Sequence, residues 1–302
     1  MAEQTVRVPT TGMTMCYETF GDSSDPPILL IMGLGTQMIA WPDRLCQDLA
    51  SRKRYVVRFD NRDAGRSTHL GELGAPNLLR AALRPRRAPY RMEDMAKDTL
   101  GLLDALGIES VHLVGASMGG FIAQSMATLQ PGRLRSLTLI MTSTGSIRVG
   151  RPHPKVALAL RKRRPVTSRE EATAAVVEVL AAIGSTGYPF DEEYTTEVAG
   201  RAFDRGHDPS GYLRQMAAIL TQRDRTKALR SLEVPTVVIH GLADRLVDAS
   251  GGRALAKAIR GARFVGITGM GHDLPRGLWG RLADEISDNV SVGEARQRTV
   301  AR

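Results

Sequence analysis

The 302-residue chain has few cysteines and no long apolar segment, and both shortages narrow the classes of protein it can represent. Its two cysteines, Cys16 and Cys46, have neither the spacing of a metal site nor the number that a disulfide framework needs. We therefore expect two buried thiols in a reducing compartment, which favours the cytoplasm. No window holds the roughly 18 consecutive apolar residues of a membrane span. The N-terminal residues also lack the basic segment and apolar core of a secretory signal.

Positive charge is in excess: 41 Lys and Arg residues stand against 32 Asp and Glu residues, which gives a net charge of +9. The basic residues are scattered and no nucleic-acid-binding motif accompanies them, so we expect no nucleic-acid partner. Two basic clusters stand out, residues 80–91 (RAALRPRRAPYR) and 161–164 (RKRR). Each is either a solvated surface or a site that attracts an acidic substrate or makes peripheral contact with an anionic membrane. The sequence leaves that choice open, as it does the choice between a monomer and a homodimer.

Short apolar runs alternate with segments of helical spacing in the first half of the chain. The runs PPILLIMGLG, RYVVRFD and SVHLVG predict buried strands, and MEDMAKDTLGLLDALGI predicts a helix. FIAQSMATLQPGRL predicts a further helix that begins near Gly119 and ends before Pro131, followed by the strand LRSLTLIMTS. Strands and helices in this rhythm indicate a parallel sheet with crossover helices.

This rhythm stops between about Gly145 and Thr226, where three segments have helical spacing: KVALALRKRR, SREEATAAVVEVLAAIG and SGYLRQMAAILTQRD. Strands are predicted again in VPTVVIHG and ARFVGITG. A last helix is predicted in GLWGRLADEISDNV, and we expect the C-terminal segment VGEARQRTVAR to be a frayed basic tail. We therefore predict a core domain of residues 1–144 and 227–302, interrupted by a helical insertion of residues 145–226.

The pentapeptide GASMG, residues 115–119, fits the pattern G-x-S-x-G. It follows an apolar strand and precedes a helical segment, which is the context that a nucleophilic serine on a sharp turn requires. Such a serine has a strained backbone, so its neighbours must be small. Free N–H groups at the start of the helix favour a developing oxyanion. Because many chains contain this pentapeptide by chance, Ser117 needs partners elsewhere in the sequence.

A serine hydroxyl needs a base to take its proton, and the base needs a group that fixes its tautomer. Of the six histidines, His272 fits best, because it lies in the glycine-containing loop GMGHD after the last predicted strand. The remaining histidines fit structural or surface positions better: His69, His112, His153, His207 and His240.

Two aspartates are candidates for the orienting acid. Asp244 lies four residues after the strand VVIH, at the carboxyl edge where the sites of parallel sheets form. Asp248 is four residues further along and ranks second, and Asp273 points elsewhere if His272 faces the serine. Ser117, an aspartate and His272 would then lie at three strand ends.

These motifs, in the order serine, acid, histidine, resemble those of the α/β-hydrolase superfamily. The resemblance spans nearly the whole chain and is greatest to serine esterases of the aclacinomycin methylesterase type. Those esterases have segments similar to LIMGLGTQMIAWP and RFDNRDAGRST. It implies an α/β-hydrolase fold, with a mostly parallel central sheet flanked by helices and a helical cap (lid) insertion. It also implies that Ser117 is the nucleophile, His272 the general base and acid, and Asp244 the orienting carboxylate.

The same resemblance implies an oxyanion hole built from backbone N–H groups. Met118 should supply the first, and Leu34 the second, with Gly35 as the alternative. Met32 and Gly33 stand where many relatives have His-Gly, but a backbone donor does not depend on that side chain. The turn DNRDAGRS, residues 60–67, is expected to brace the neighbouring loops.

The sequence thus predicts a carboxylic ester hydrolase that acts on a lipophilic small molecule and needs no metal or organic cofactor. Thioesterase and (lyso)phospholipase activity remain alternatives. A cofactor-free haloperoxidase or perhydrolase, a carbon–carbon bond hydrolase and a non-catalytic ligand-binding homologue are less favoured. Methionines and aromatic residues predict an adaptable lipophilic pocket. Its expected lining residues are Met38, Trp41, Met141, Tyr188, Phe190, Tyr212, Met216 and Leu274.

Overall fold

One eight-stranded sheet forms the centre of the molecule. The computed structural model describes residues 2–161 and 166–300. Its strands are β1 (Gln4–Arg7), β2 (Thr14–Phe20), β3 (Pro27–Ile31), β4 (Tyr55–Phe59), β5 (Val111–Ala116), β6 (Leu134–Ile140), β7 (Thr236–Gly241) and β8 (Arg263–Ile267). Their order is β1-β2-β4-β3-β5-β6-β7-β8. Within the described residues, only β2 pairs antiparallel with its neighbours, and every other pairing is parallel. The expected mostly parallel sheet is confirmed.

Helices connect the strands and cover the sheet. They are α1 (Asp43–Ser51), α2 (Leu78–Leu83), α3 (Met92–Ala105), α4 (Met118–Leu129), α5 (Pro154–Arg161), α6 (Arg169–Ile183), α7 (Glu192–Arg205), α8 (Pro209–Leu220), α9 (Thr226–Leu229), α10 (Ser250–Ala258) and α11 (Trp279–Val300). In the part of the chain that the structure describes, no helix combines the length and the apolarity needed to cross a bilayer.

The two faces of the sheet carry separate hydrophobic cores. Side chains alternate between the faces of a strand, so Leu29 and Ile31 of β3 enter one core whereas Ile28 and Leu30 enter the other. Buried residues of α3, α4 and α10 complete the first core, and those of α1 and α11 complete the second. Helices on both sides thus hold the parallel strands in place.

Helices α5–α9 lie between β6 and β7, in the segment where the sequence lost its strand rhythm. Among the described residues from 141 to 235, which exclude 162–165, no strand forms. The two ends of this segment are joined, because the Arg225 N–H donates a hydrogen bond of 2.9 Å to the Thr144 carbonyl. Ser168 caps α6 by accepting from the Glu171 N–H.

The C-terminal residues differ from the sequence-based expectation. We expected VGEARQRTVAR to fray, but α11 continues from Trp279 to Val300. The buried face of this helix, which includes Ile286 and Val290, packs in the second core. A helix anchored over several turns propagates at little cost, because each further residue adds one backbone hydrogen bond. The prediction of a frayed tail is therefore wrong up to Val300.

Candidate active site

Ser117 lies on the turn between β5 and α4, with φ 52° and ψ −117°. A positive φ is strained for any residue except glycine, and small neighbours make the turn possible. A Cβ atom on Gly115 would lie 2.4 Å from the Gly119 carbonyl oxygen, and one on Gly119 would lie 2.1 Å from the Ile31 carbonyl oxygen. Only glycine fits at either position, so these residues are small for a steric reason.

His272 joins Ser117 to Asp244 through two hydrogen bonds. Its Nε2 atom lies 3.0 Å from Ser117 Oγ, and its Nδ1 atom lies 2.8 Å from Asp244 Oδ2. The three side chains follow β5, β8 and β7, whose carboxyl ends meet at one edge of the sheet. The folded chain therefore brings together the three residues that the sequence analysis selected.

Asp244 is held on both of its oxygen atoms. Oδ1 accepts from the Leu246 and Val247 N–H groups, each at 2.8 Å, and Oδ2 faces His272 and, at 3.5 Å, His240 Nε2. Burial alone would raise the pKa of this carboxyl group, but the charge of His272 and the hydrogen bonds outweigh it and lower the pKa to about 2. Asp244 is therefore ionised at neutral pH and favours the His272 tautomer with hydrogen on Nδ1.

The other two aspartates have different partners. Asp248 accepts from the Ser250 N–H at 2.9 Å, and Asp273 accepts from the Ser185 hydroxyl at 2.6 Å. Burial raises the pKa of Asp273. Since neither carboxylate bonds to the His272 ring, Asp244 is the carboxylate that orients it.

The loop after β3 passes directly beside Ser117. A Cβ atom on Gly33 would lie 3.2 Å from Ser117 Cβ. The Gly35 N–H already donates to Gln215 Oε1 at 2.7 Å. By contrast, within residues 2–161 and 166–300 the backbone N–H groups of Leu34 and Met118 have no hydrogen-bond acceptor. Of the two residues considered for the second donor, Leu34 is the one with a free N–H.

The turn of residues 60–67 fixes the loops around this site through hydrogen bonds. Asp60 Oδ1 accepts from the Met38 N–H at 2.7 Å. Asn61 Nδ2 donates to the Met32 carbonyl at 3.1 Å, at the start of the loop that carries Leu34. Both side chains are buried, which matches the bracing role expected for this turn.

Asp63, His69 and Asp208 form a cluster whose ligand atoms lie within 4.8 Å of one another, which raises the question of a metal site. Arg214 donates to Asp63 Oδ1 at 2.7 Å and to Asp208 Oδ2 at 2.6 Å. The Tyr90 hydroxyl donates to Asp63 as well. One guanidinium group is thus shared by both carboxylates, and the cluster is an ion-pair network.

A cavity of about 930 Å³ lies beside the loop after β3 and is lined by Gly35. That volume is at the upper end of the range for small-molecule sites. Small apolar side chains of α6 and α7 form much of its wall, and α8 contributes Tyr212, Leu213, Met216 and Leu220. Two of the predicted pocket residues, Tyr212 and Met216, are therefore in the wall.

The other six predicted pocket residues are not in this wall. Met38 and Trp41 have no exposed surface and pack in hydrophobic clusters, so the prediction that they line the pocket is wrong. Met141, Tyr188 and Leu274 pack against the second core instead. Phe190 is 40% exposed and is also absent from the cavity wall.

Comparison with known proteins gives the family. The model of the alpha/beta hydrolase fold family matches residues 26–275. Rhodomycin D methylesterase DauP of Streptomyces sp. (strain C5) is 29% identical over 91% of this chain and 94% of its own length. The enol-lactonase of Burkholderia xenovorans LB400 superposes with a TM-score of 0.73 and 26% identity, over 95% of this chain and all of the lactonase. The chain belongs to the alpha/beta hydrolase family.

Within this family the chain is a carboxylic ester hydrolase, as its methylesterase and enol-lactonase relatives indicate. The putative carbamate hydrolase RutD of Pseudomonas syringae pv. syringae (strain B728a) is also similar, at 28% identity over 82% of this chain and 86% of its own length.

One residue near the site had no signal in the sequence. Gln215 lies in an amphipathic helix, and only the folded chain brings it to Gly35.

Proposed function

We propose that Ser117, His272 and Asp244 are the catalytic triad of a serine esterase that acts on lipophilic esters. The observation that carries this proposal is the unbroken hydrogen-bond chain from Asp244 Oδ2 through both ring nitrogens of His272 to Ser117 Oγ, with distances of 2.8 and 3.0 Å. A hydroxyl in such a chain loses its proton to the imidazole as it attacks. Ser117 is also partly exposed, so a substrate carbonyl can reach it.

In the acylation half of the reaction, His272 Nε2 takes the proton of Ser117 Oγ while the oxygen attacks the ester carbonyl. The carbonyl oxygen becomes an oxyanion that accepts hydrogen bonds from the N–H groups of Met118 and Leu34. When the tetrahedral intermediate collapses, the bond to the alcohol breaks and His272 gives its proton to the leaving oxygen. The products are an acyl-enzyme on Ser117 and a free alcohol.

In the second half, water attacks the acyl-enzyme and His272 takes one of its protons. The second oxyanion uses the same N–H donors, and His272 returns the proton to Ser117 as the carboxylic acid leaves. Asp244 remains ionised throughout and stabilises the imidazolium form of His272. The proposal requires no metal ion and no organic cofactor.

We assign residues 145–226 to a cap over the core of residues 1–144 and 227–302. Two features support this division: the hydrogen bond between Arg225 and Thr144 closes the segment on itself, and its helices supply most of the cavity wall. The cap also contacts the site, because the His272 N–H donates to the Ile183 carbonyl at 2.8 Å. An apolar ester would place its bulky part in the cavity and its carbonyl at Ser117.

Turnover of a p-nitrophenyl ester tests the triad. Ser117→Ala should abolish it, whereas Ser125→Ala should not, because the hydroxyl of Ser125 donates only to the Phe121 carbonyl within the same helix. The two variants make the same change eight residues apart, at the start of α4 and within it, and thus match each other. Equal turnover in wild type and Ser117→Ala would refute the proposal.

A substrate panel tests the lipophilic ester as the substrate class. It contains short-chain and long-chain acyl esters, a methyl ester of a bulky aromatic acid, an acyl thioester and a lysophospholipid. We expect the bulky or long-chain oxoesters to have the highest kcat/KM, because they fill the apolar cavity. A preference for the thioester or the lysophospholipid would replace the proposed substrate class with that alternative, and a preference for the shortest acyl chain would refute the role of the cavity.

A further inference from the structure

The edge of the cavity exposes large apolar side chains to solvent. Leu79 of α2 and Leu220 of α8 line the cavity and are 71% and 46% exposed. Leu83 is four residues after Leu79, on the same face of α2, and is 75% exposed. Leu158 of α5 is also exposed and follows Ala157, which lines the cavity. Exposed apolar groups gathered at a cavity opening mark an interaction surface.

Four arginines without acidic partners are neighbours of Leu79 and Leu83 in sequence. Residues 73–92 contain no Asp or Glu, and the exposed residues among them include Arg80, Arg84, Arg86 and Arg87. In the described part of the chain none of these four guanidinium groups takes part in an ion pair, whereas many other arginines do. We call the four arginines together with Leu79, Leu83, Leu158 and Leu220 the leucine–arginine rim. The other basic cluster, at 161–164, lies outside the described residues except for Arg161, the last residue of α5.

We propose that the leucine–arginine rim binds the surface of an anionic lipid bilayer. Guanidinium groups pair with lipid phosphates, and the rim leucines enter the boundary between headgroups and acyl chains. Leu79 and Leu220 of the rim also line the cavity, so a lipophilic ester would pass from the bilayer into the cavity beside them. The identity of this ester rests on the proposed function, but the binding of the protein to the bilayer does not.

Co-sedimentation with vesicles tests the rim separately from catalysis. The full chain is mixed with vesicles of phosphatidylcholine that contain phosphatidylglycerol, and with vesicles of phosphatidylcholine alone. We expect binding to the first kind, weaker binding to the second, and a loss of binding at high salt. The Ser117→Ala variant should bind like wild type, so an inactive triad would leave this result unchanged.

Charge-matched variants locate the binding surface. Replacing Arg84, Arg86 and Arg87 together by Gln should weaken binding to anionic vesicles about 100-fold, since each basic residue near an anionic surface contributes about fivefold. The control replaces three other exposed arginines without ion pairs by Gln: Arg230, Arg260 and Arg281. Both triple variants lose the same charge and should hydrolyse a water-soluble ester like wild type. Equal weakening in both would show that net charge alone drives binding, and no binding of wild type to either vesicle would overturn the proposal.

Apolar insertion has its own test. Replacing Leu79 and Leu83 by Ser should weaken binding to both kinds of vesicle, and the control replaces Leu129 and Leu242, which are exposed at 45% and 43%, by Ser. An equal effect of the two changes would overturn the insertion of the rim leucines.

The side-chain amide of Gln215 bonds to two loops beside the site. This residue of α8 has no exposed surface. Its Oε1 accepts from the Gly35 N–H at 2.7 Å, and its Nε2 donates to the Arg62 carbonyl at 2.7 Å. One side chain of the cap thus joins the loop after β3 to the turn of residues 60–67. Both bonds are with backbone groups, so they fix the path of the loop itself.

The same helix also forms the cavity wall. The Tyr212 ring packs on the loop after β3 so closely that a Cβ atom on Gly35 would lie 2.6 Å from Tyr212 Cδ2. Met216 lines the cavity next to Gln215 in sequence. A substrate that contacts Tyr212 and Met216 therefore contacts α8, the helix whose Gln215 binds Gly35. Gly35 is the residue after Leu34, whose N–H is free.

We infer that Gln215 is a positioning residue for the oxyanion hole. By occupying the Gly35 N–H, it leaves Leu34 as the donor and keeps that N–H aimed at the oxyanion of the proposed reaction. Loss of the hydrogen bonds of Gln215 should lower kcat and leave KM for a small ester nearly unchanged. The reason is that the hydrogen bond from the Leu34 N–H to the substrate oxygen strengthens in the transition state.

Gln215→Leu and Gln215→Glu test this inference. The first removes both hydrogen bonds and should reduce kcat by about 100-fold, the lower end for loss of one oxyanion donor. The second keeps an acceptor for the Gly35 N–H and should recover part of that loss. Gln124→Leu is the control, since Gln124 is a buried glutamine that donates to the Ser143 carbonyl at 2.9 Å. Wild-type kcat in Gln215→Leu, or the same fall in Gln124→Leu, would overturn the inference. Labelling of Ser117 by a fluorophosphonate in these variants would show that the proposed nucleophile is still reactive.

Discussion

Replacing Asp244 by Asn changes the tautomer of His272 while it preserves the shape of the site. The Leu246 and Val247 N–H groups both point at Oδ1 from 2.8 Å. The carbonyl oxygen of the new amide must therefore take that place, because an NH₂ group there would leave two N–H donors unpaired at about 1–3 kcal/mol each. The NH₂ group then faces His272 Nδ1, which lies 2.8 Å from Asp244 Oδ2 in the wild type.

An amide donor at that position forces His272 Nδ1 to accept a hydrogen bond. The ring hydrogen moves to Nε2, which can then donate to the Ser117 hydroxyl but cannot take its proton. We expect kcat/KM to fall on the order of 10⁴-fold, the loss that a wrong tautomer causes in a triad. That factor corresponds to about 5.5 kcal/mol of transition-state stabilisation.

Steady-state turnover of a p-nitrophenyl ester measures this loss, with circular dichroism as the check on folding. Asp248→Asn is the matched control, because that carboxylate accepts from the N–H and the hydroxyl of the local Ser250 and should keep wild-type activity. A loss below about tenfold in Asp244→Asn would contradict the tautomer argument. A large loss in Asp248→Asn instead would transfer the role of orienting acid to Asp248.

Three further predictions follow from individual contacts. Gly119→Ala should lower both turnover and the urea midpoint of unfolding, because its Cβ would lie 2.1 Å from the Ile31 carbonyl oxygen; wild-type values for both would contradict the tight packing of the turn. Burial lowers the pKa of His112 to about 4 from its ordinary value of 6.5. The unfolded chain thus binds more protons between these values, so the free energy of unfolding should fall as the pH drops through this window and fall less in His112→Gln. Burial raises the pKa of Cys16 and of Cys46 to about 12, so a disulfide reagent should modify neither thiol in the native protein and both in urea.

The sequence was sufficient to select Ser117, Asp244 and His272 because chain order and sheet direction act together. Each residue follows an apolar run that forms a parallel strand, and parallel neighbours place their carboxyl ends at one edge. The glycines around Ser117 gave a second, steric signal. For the same reason the parallel strands β3–β8 were predictable from the sequence. Strands β1 and β2 and helices α1, α2 and α10 were not among the predicted elements.

Pocket residues were much harder to predict, because an apolar side chain has the same pattern in a core as in a cavity wall. Met38 and Trp41 have the composition of a lipophilic pocket but are fully buried. Tyr212 and Met216 line the cavity because α8 packs on the loop after β3. That crossing depends on tertiary contacts such as the ion pair of Arg214 with Asp63, which are far apart in the sequence.

The most direct test of the central claim is the site of covalent labelling by a fluorophosphonate, located by mass spectrometry of proteolytic peptides. The proposed mechanism predicts one phosphonyl group on Ser117, no label in Ser117→Ala, and strongly slowed labelling in Asp244→Asn, where His272 cannot take the proton. Unchanged labelling of Ser117→Ala, or label on another residue of the wild type, would contradict the account.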